Sequence, residues 1–240
     1  MTNPFDPSST PPSGGPAGPH DLDISLAIND ATGALSRNVV PWIGVALVAF
    51  FATIVAIMLC FVPVFIVAPL LGWGITLFTL RAVDGTAGFD ALTDAFDNAV
   101  PKWVVMIVIM LLLFVVQLPA VVVSLLPVIS DLIFESVVLS IIVNLVASLL
   151  QLAYTLIITP RFALATFYAV DQKLDGLEAV KRSWEVTAPV WSKMILLYVI
   201  EMIASFVGLM LCIVGIIPAS LFSSALNASA YRQLTGTRTA

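Results

Sequence analysis

The sequence predicts an all-α, polytopic membrane protein with six transmembrane helices. Three observations predict this fold class: the composition, the length of the charge-free runs and an internal repeat. Of the 240 residues, 60% are hydrophobic and 10% are charged, whereas a soluble domain has about 45–50% apolar and about 25% charged residues. The mean hydropathy of the chain is +1.07. This composition excludes an ordinary soluble domain.

The charge-free runs are long enough to cross a bilayer, which requires about 20 apolar residues. No residue ionises in 38–80, 103–130 or 136–160, and Glu201 is the only charge between Lys193 and Arg232. The first and last runs each have room for two crossings. The predicted spans are about 42–60, 64–83, 103–118, 137–159, 190–211 and 213–231.

One stretch of the chain occurs twice. Residues 88–103 read GFDALTDAFDNAVPKW and residues 176–191 read GLEAVKRSWEVTAPVW, and Ala-Val-Asp precedes each copy at 82–84 and 169–171. A sequence repeat indicates a repeated structural unit. We therefore predict three units, each a cytoplasmic amphipathic helix followed by a helical hairpin, with a degraded third copy at the start of the chain.

The chain begins with a segment that cannot form a core. Residues 1–20 are rich in Pro, Gly and Ser and contain no apolar stretch of signal-peptide type, so they predict a disordered cytoplasmic tail. Residues 21–37 predict a weak amphipathic helix before the first span. The membrane domain then covers 21–234, and 235–240 form a second short tail.

Each repeat copy predicts a helix that lies in the membrane interface, although an ordinary charged loop is the alternative for 84–98. Apolar side chains recur at helical spacing on one side of each copy, and acidic residues of the first copy fall on another side. The apolar stripes are Phe89, Leu92 and Phe96 in the first copy and Leu177, Val180 and Trp184 in the second.

Two connections are less regular. Residues 120–136 are apolar but contain Pro127, Asp131 and Glu135, which predicts an outer loop or a short interfacial helix after a third span that ends near Pro119. The inner end of the fourth span has three alternatives: a long tilted helix, a kink at Pro160, or a continuation along the surface.

Three Pro-Trp sites mark helix entries at one membrane face. Proline is tolerated in the first turn of a helix, and tryptophan favours the headgroup level. We therefore predict Trp42, Trp103 and Trp191 as interfacial anchors. All ten Lys and Arg residues lie on or near this same side, so the positive-inside rule places both termini in the cytoplasm.

Glu201 lies deep within predicted span five, and Arg161 would lie at a similar depth in span four if that span continued past residue 159. Glu201 lies about 18 Å into span five from Pro189, and Arg161 lies about 15 Å into span four if that helix continues to Asp171. Because an unpaired carboxylate in the bilayer costs several kcal/mol, we predict an Arg161–Glu201 pair. The pair has two interpretations, a buried ion pair that sets helix register and a proton or substrate site.

Membrane lipids are the predicted partners. Lys181, Arg182 and Lys193 are candidates for contact with anionic headgroups, whereas three aspartates make the first surface helix repulsive to them. The net charge of −5 and the lack of further basic clusters argue against nucleic acid. A small-residue face in span six predicts packing against another span, another membrane protein or a second copy; it comprises Ala219, Ser220, Ser223, Ser224, Asn227 and Ala228.

The sequence lacks the motifs that are typical of enzymes and metal sites. Cys60 and Cys212 fall at the outer ends of spans one and six, where a disulfide and two buried free thiols are both alternatives. His20 is the only histidine, no Cys/His spacing suits a metal, and no nucleotide-binding or nucleophile motif is present. We expect no metal, no cofactor and no enzymatic activity.

The segment from Arg161 to Trp191 resembles a known family. Arg161, Asp171 and the string GLEAVKRSWEVTAPVW are similar to the signature of the membrane domain fused to some glycerophosphoryl diester phosphodiesterases, and of bacterial inner-membrane proteins of the YciC type. The resemblance covers essentially 21–234 and implies a six-span fold in the inner membrane. The phosphodiesterase activity belongs to a separate soluble domain of those fusions, so the resemblance implies no chemistry for this chain.

Three functions remain from the sequence alone. The first is a non-enzymatic scaffold or lipid-contacting accessory protein, favoured by the amphipathic segments. The second is a small transporter or channel that uses Arg161 and Glu201. The third, an intramembrane enzyme, lacks a convergent cluster of polar groups.

Overall fold

The computed structural model describes residues 22–58, 62–133, 136–210 and 213–237, and the regular secondary structure within these ranges is α-helix. The helices are α1 (Ile24–Arg37), α2 (Val39–Met58), α3 (Val62–Val83), α4 (Asp90–Asp94), α5 (Ala99–Ile133), α6 (Val137–Phe162), α7 (Ala165–Asp171), α8 (Gly176–Thr187), α9 (Trp191–Met210) and α10 (Ile213–Thr235). The all-α prediction is confirmed. The predicted tail 1–20 and both cysteines lie outside the described ranges.

Three helical segments are long and apolar enough to cross a membrane. They are Ala99–Ser130, Val137–Asp171 and Trp191–Met210, and two shorter apolar segments are Val39–Val48 and Val67–Val83. In the apolar 18-residue window of each of these segments, few residues are buried inside the protein. These helices are therefore suited to the hydrocarbon interior of a membrane.

The third predicted span is longer in the structure than in the sequence prediction. Helix α5 continues through Pro119 and Pro127 to Ile133, where the sequence predicts that the span ends and an outer loop or a short interfacial helix follows from residue 120. A proline inside a helix costs about 3 kcal/mol or more. In apolar surroundings, however, each backbone N–H or C=O group without a hydrogen bond costs several kcal/mol. A helix with two prolines leaves fewer such groups than an irregular segment does, so the helix is favoured.

The inner end of the fourth span is interrupted. Helix α6 ends at Phe162, two residues after Pro160, and α7 begins at Ala165. Most side chains of α7 are buried, so this short helix is part of the protein core and does not lie along its surface.

The buried core is concentrated at one end of the helices. It includes the last turns of α3, most of α7, the last turns of α10 and one face each of α1, α4 and α8, together with buried residues near the start of α2, α5 and α9. The opposite halves of α5 and α6 leave large apolar side chains exposed, such as Phe114, Leu125, Val138 and Leu145. The protein is thus packed tightly at the end that carries the amphipathic helices and loosely at the other.

The first helix is docked onto the last. The side chain of Asp23 caps α1 by accepting hydrogen bonds from the Ser25 hydroxyl and the backbone N–H groups of Ser25 and Leu26, and these bonds lower the pKa of Asp23. The Gln233 amide exchanges two hydrogen bonds with the Asp23 backbone, at 2.8 and 3.1 Å. Ser229 on α10 donates to Asp30 at 2.7 Å. These contacts bring the two ends of the described chain together.

Candidate functional site

The apolar stripes of the two repeat copies have matching burial in the structure. Phe89 and Phe96 of the first copy are 48% and 49% exposed, while Leu92 between them is buried. In the second copy Leu177 and Trp184 are 49% and 40% exposed, while Val180 is buried. At both sites, two of the three predicted stripe residues are therefore only partly covered by the protein, and the middle one is buried in it.

Small residues form the inward face of both copies. Ala91 and Ala95 in the first copy are fully buried, as are Ala179 and Ser183 in the second. Small side chains let helices approach closely, and Gly176 shows how close the approach is. A Cβ atom at Gly176 would lie 2.7 Å from Val108 Cγ1 and 2.9 Å from the Val105 carbonyl oxygen. The small residues, together with Leu92 and Val180 from the middle of each stripe, therefore attach these helices to the protein.

Internal partners neutralise two acidic side chains of the first copy. Arg81 at the end of α3 binds Asp90 at 2.5 Å and Asp94 at 2.7 Å. The Lys102 ammonium group donates to the backbone carbonyls of Asp94 and Asp97. The predicted repulsion between this segment and anionic headgroups is correspondingly reduced.

The three predicted tryptophan anchors differ in their surroundings. Trp103 and Trp191 are half-buried, and their indole N–H groups donate to the carbonyls of Phe65 at 3.0 Å and Ile157 at 3.3 Å. Trp42 is only 2% exposed, packs edge-on against Phe78 and donates to the Ala34 carbonyl. Trp42 is therefore a core residue, because so buried a ring has almost no surface to present to headgroups.

The predicted headgroup residues lie around the start of α9 and on α8. Lys181 and Arg182 are exposed, and Arg182 forms a long ion pair of 3.7 Å with Glu185. Lys193 is half-buried near the start of α9. The structure thus leaves two of the three predicted cations accessible on one amphipathic helix.

The predicted Arg161–Glu201 pair is not among the ion pairs that the described residues form. The Arg161 guanidinium lies 4.3 Å from the Trp184 ring centroid and 5.6 Å from that of Trp191, at the beginning of α9. Glu201 is ten residues along α9 from Trp191, or about 15 Å. The estimate of equal depth assumed one continuous helix to Asp171, but α6 ends at Phe162, so Arg161 lies nearer to the end that carries the amphipathic helices.

Glu201 has a polar partner on α10. Its carboxylate accepts a hydrogen bond of 2.8 Å from the Asn227 amide, which also donates to the Ser223 carbonyl at 3.2 Å. Asn227 Oδ1 and Ser223 Oγ are buried and have no hydrogen-bond partner. Part of the predicted small-residue face of span six therefore packs inside the chain, against α9, while Ser220 is exposed.

A groove of about 660 Å³ lies between α1, α2 and α10. Its lining residues are Thr32, Leu35, Ser36, Val39, Trp42, Ile43, Ala46, Leu47, Pro218, Leu221 and Phe222. The Thr32 and Ser36 hydroxyls donate to carbonyls of their own helix. The groove is thus apolar, and neither Arg161 nor Glu201 lines it.

The most buried ion-pair cluster was not predicted from the sequence. Arg232 at the end of α10 binds Asp84 at 2.5 Å and Asp171 at 3.0 Å, and Tyr231 donates to Asp171 at 2.7 Å. Two carboxylates therefore share one guanidinium, and all three side chains are largely removed from solvent. The signal was present in the repeat: Ala-Val-Asp ends at Asp84 and at Asp171, and the corresponding end of α10 reads Ala-Tyr-Arg.

Neither a metal-binding cluster among the described residues nor a match to a known protein identifies a further site. The described residues contain no group of three His, Cys, Asp or Glu side chains that could hold a metal ion. No protein-family model, curated protein or solved structure matches the chain. The resemblance to the phosphodiesterase-fused membrane domain stays a prediction.

Proposed function

We propose that this chain is a non-enzymatic integral membrane protein of the bacterial inner membrane that acts as a scaffold or lipid-contacting accessory factor. In this proposal α2, α3, α5, α6, α9 and α10 are the six crossings, and both termini are cytoplasmic. The amphipathic segments α1, α4 and α8 lie at the cytoplasmic face, and the last two contact lipid.

One observation carries the proposal: equivalent large apolar side chains of the two repeat copies are uncovered. Phe89, Phe96, Leu177 and Trp184 remain 48%, 49%, 49% and 40% exposed, although Phe89 lies against Gly44 and Trp184 packs against Phe162, while small residues one helical face away are fully buried. Removal of such a side chain from water is worth about 1.5–3 kcal/mol when it is complete. A membrane interface would cover the exposed parts of these four side chains, whereas in water they would stay solvated and this free energy would not be gained.

The distribution of charge supports the orientation. Arg81, Lys102, Lys181 and Arg182 all lie next to the amphipathic segments, and cytoplasmic loops of membrane proteins carry an excess of such residues. The packed core lies at this same end. The loosely covered end of α5 and α6 is then the part surrounded by lipid on most sides.

The experiment uses spin labels at single cysteines in a Cys60→Ala/Cys212→Ala background, with the full chain reconstituted in phosphatidylcholine vesicles. Labels replace Phe89, Leu177 and, as a matched control on the same helix, exposed Glu178. We expect labels at 89 and 177 to collide more with oxygen, which partitions into lipid, than with a water-soluble nickel chelate. The label at 178 should show the reverse.

Two outcomes would remove the proposal. If labels at 177 and 178 are both accessible mainly to the nickel chelate, α8 lies in water. If labels at 89 and 177 are accessible to neither reagent, a protein surface covers these side chains.

A transporter or channel is the second candidate, and the Glu201 environment favours it. A carboxylate within a predicted span is bonded to Asn227, and two buried oxygens beside that contact, Asn227 Oδ1 and Ser223 Oγ, lack donors. Buried polar atoms without partners are rare, and they are suited to a proton, a water molecule or a cation. Glu201 alone, without Arg161, is the centre of this second proposal.

A further inference from the structure

Arg161 is held in a fixed position by three helices. Its guanidinium lies over the Trp184 ring of α8 and near the Trp191 ring of α9. Its backbone carbonyl accepts hydrogen bonds from the Ser183 hydroxyl at 2.8 Å and the Thr187 hydroxyl at 3.3 Å. The neighbouring Phe162 ring packs against Trp184 at 5.4 Å. The cation is therefore preorganised by α6, α8 and α9 together.

The guanidinium nevertheless has no acceptor in the described parts of the chain. Arg81, Arg182 and Arg232 each reach a carboxylate, and Arg37 donates to the Gly33 carbonyl of its own helix. Among the residues that the structure describes, the Arg161 guanidinium contacts only the rings of Trp184 and Trp191. A guanidinium carries five N–H donors that are not satisfied by a π face, so this side chain can still bind an acceptor.

The surroundings favour an anion as that acceptor. Arg161 is half-buried beside the exposed ring of Trp184, so a ligand can reach its edge. Lys181 on the adjoining helix, one turn before Trp184, is exposed and adds positive charge, whereas Arg182 is paired with Glu185. A planar guanidinium matches two phosphate oxygens in a bidentate contact, and the stacked rings limit how far it can turn away.

Apolar surface continues from this site along the predicted span. Ile157, one helical turn before Arg161, is 45% exposed, and Leu177 on α8 is also exposed. A free phosphate ion would use only the cation, whereas a phospholipid would also cover these side chains.

We infer that Arg161, clasped by Trp184 and Trp191, binds the phosphate of an anionic membrane phospholipid whose acyl chains lie along α6. The inference rests on the proposed membrane-contact function, because it requires α8 to lie at the headgroup level. It adds a specific lipid site to that function and gives Arg161 a role separate from Glu201.

The test measures lipid binding to the purified full chain in neutral detergent by native mass spectrometry. The probes are phosphatidylglycerol, phosphatidylcholine and inorganic phosphate, and the variants are Arg161→Gln and Arg161→Lys. Arg37→Gln is the matched control because it removes an exposed cation on another amphipathic helix. Melting temperatures without added lipid establish that each variant folds.

We expect wild type and Arg37→Gln to retain phosphatidylglycerol in preference to phosphatidylcholine. Arg161→Gln should bind phosphatidylglycerol roughly tenfold more weakly, since a hydrogen bond to a charged group is worth about that factor or more. Arg161→Lys keeps the charge but loses the planar pair of donors, so its affinity should fall several-fold. If Arg161→Gln does not fold, Arg161→Lys provides the test.

Unchanged phosphatidylglycerol binding in the folded Arg161 variants would overturn the inference. Inorganic phosphate that displaces the lipid at comparable concentration would also overturn it, because the site would then take a free anion. The spin-label result separates this failure from that of the proposed function. Lipid-exposed labels at 89 and 177 together with unchanged binding would remove only the Arg161 site.

Discussion

Single residues decide how charge is accommodated in this protein. Arg232 and its two carboxylate partners are 11%, 13% and 24% exposed, which is far less than the exposed Arg182–Glu185 pair at 55% and 65%. Removal of one member of a buried ion pair leaves an uncompensated charge, whereas an exposed pair contributes little. The two arginines therefore form a natural comparison.

We expect Arg232→Leu to lower the free energy of unfolding by about 3–5 kcal/mol, because Asp84 and Asp171 lose their common partner. Arg182→Leu should change it by about 1 kcal/mol or less. The measurement is the thermal unfolding of both variants in detergent.

A rescue experiment tests the cause of this loss. Adding Asp84→Asn and Asp171→Asn to Arg232→Leu should restore part of the lost stability. Equal melting temperatures for the two single variants would show that the cluster does not stabilise the fold.

Glu201 lends itself to an isosteric substitution. We expect Glu201→Gln to fold with at least the wild-type melting temperature, because the new amide oxygen keeps the hydrogen bond from Asn227 and no charge is buried. Asn227→Leu should be less stable by about 1–3 kcal/mol, since it leaves the Glu201 carboxylate without a donor. Loss of folded protein in Glu201→Gln would mean instead that the carboxylate charge itself is required.

At the scale of helices, close approach explains how the amphipathic segments are attached. The apolar periodicity of Leu177, Val180 and Trp184 correctly predicts an amphipathic helix, but it does not identify the buried face. Alanine, serine and glycine have weak hydropathy, and their importance comes from the short interhelical distance that they allow. That distance becomes visible only when α5 and α8 are placed together.

Gly176 and Gly33 give a matched pair of Gly→Ala substitutions. We expect Gly176→Ala to destabilise the protein by about 1–3 kcal/mol, because the new methyl group would overlap Val108 and the backbone oxygen of Val105. Gly33→Ala meets nothing closer than 3.6 Å within α1 and should stabilise that helix by up to about 1 kcal/mol. Thermal unfolding checks both. A neutral Gly176→Ala would mean that α8 can shift away from α5 at no cost.

Proline illustrates a limit of prediction at the same scale. Pro119 and Pro127 predict an interruption of α5, yet the helix continues through both. Pro160 is followed by an actual end of α6 two residues later. Sequence alone does not distinguish these cases. A helix can end after a proline only where other groups bond the carbonyls that it frees, as the Ser183 hydroxyl does for the Arg161 carbonyl.

For the whole molecule, composition and charge-free runs predict the helical class and the approximate location of every long helix. The depth of Arg161 and the core position of Trp42 could not be predicted in this way. The first depends on the break between α6 and α7, and the second on the packing of α2 against α1 and α3, and both are properties of tertiary structure. The Arg232 cluster likewise joins positions up to 148 residues apart.

The meeting of Asp84, Asp171 and Arg232 constrains how such a chain can evolve. A gene that had simply triplicated one unit would end three neighbouring helices in the same acid, and three carboxylates at one buried point would repel each other. If the predicted three-unit repeat is correct, divergence of one copy to arginine would turn that repulsion into attraction. The copies would then no longer be interchangeable, and exchange or deletion of a unit would leave a charge unmatched.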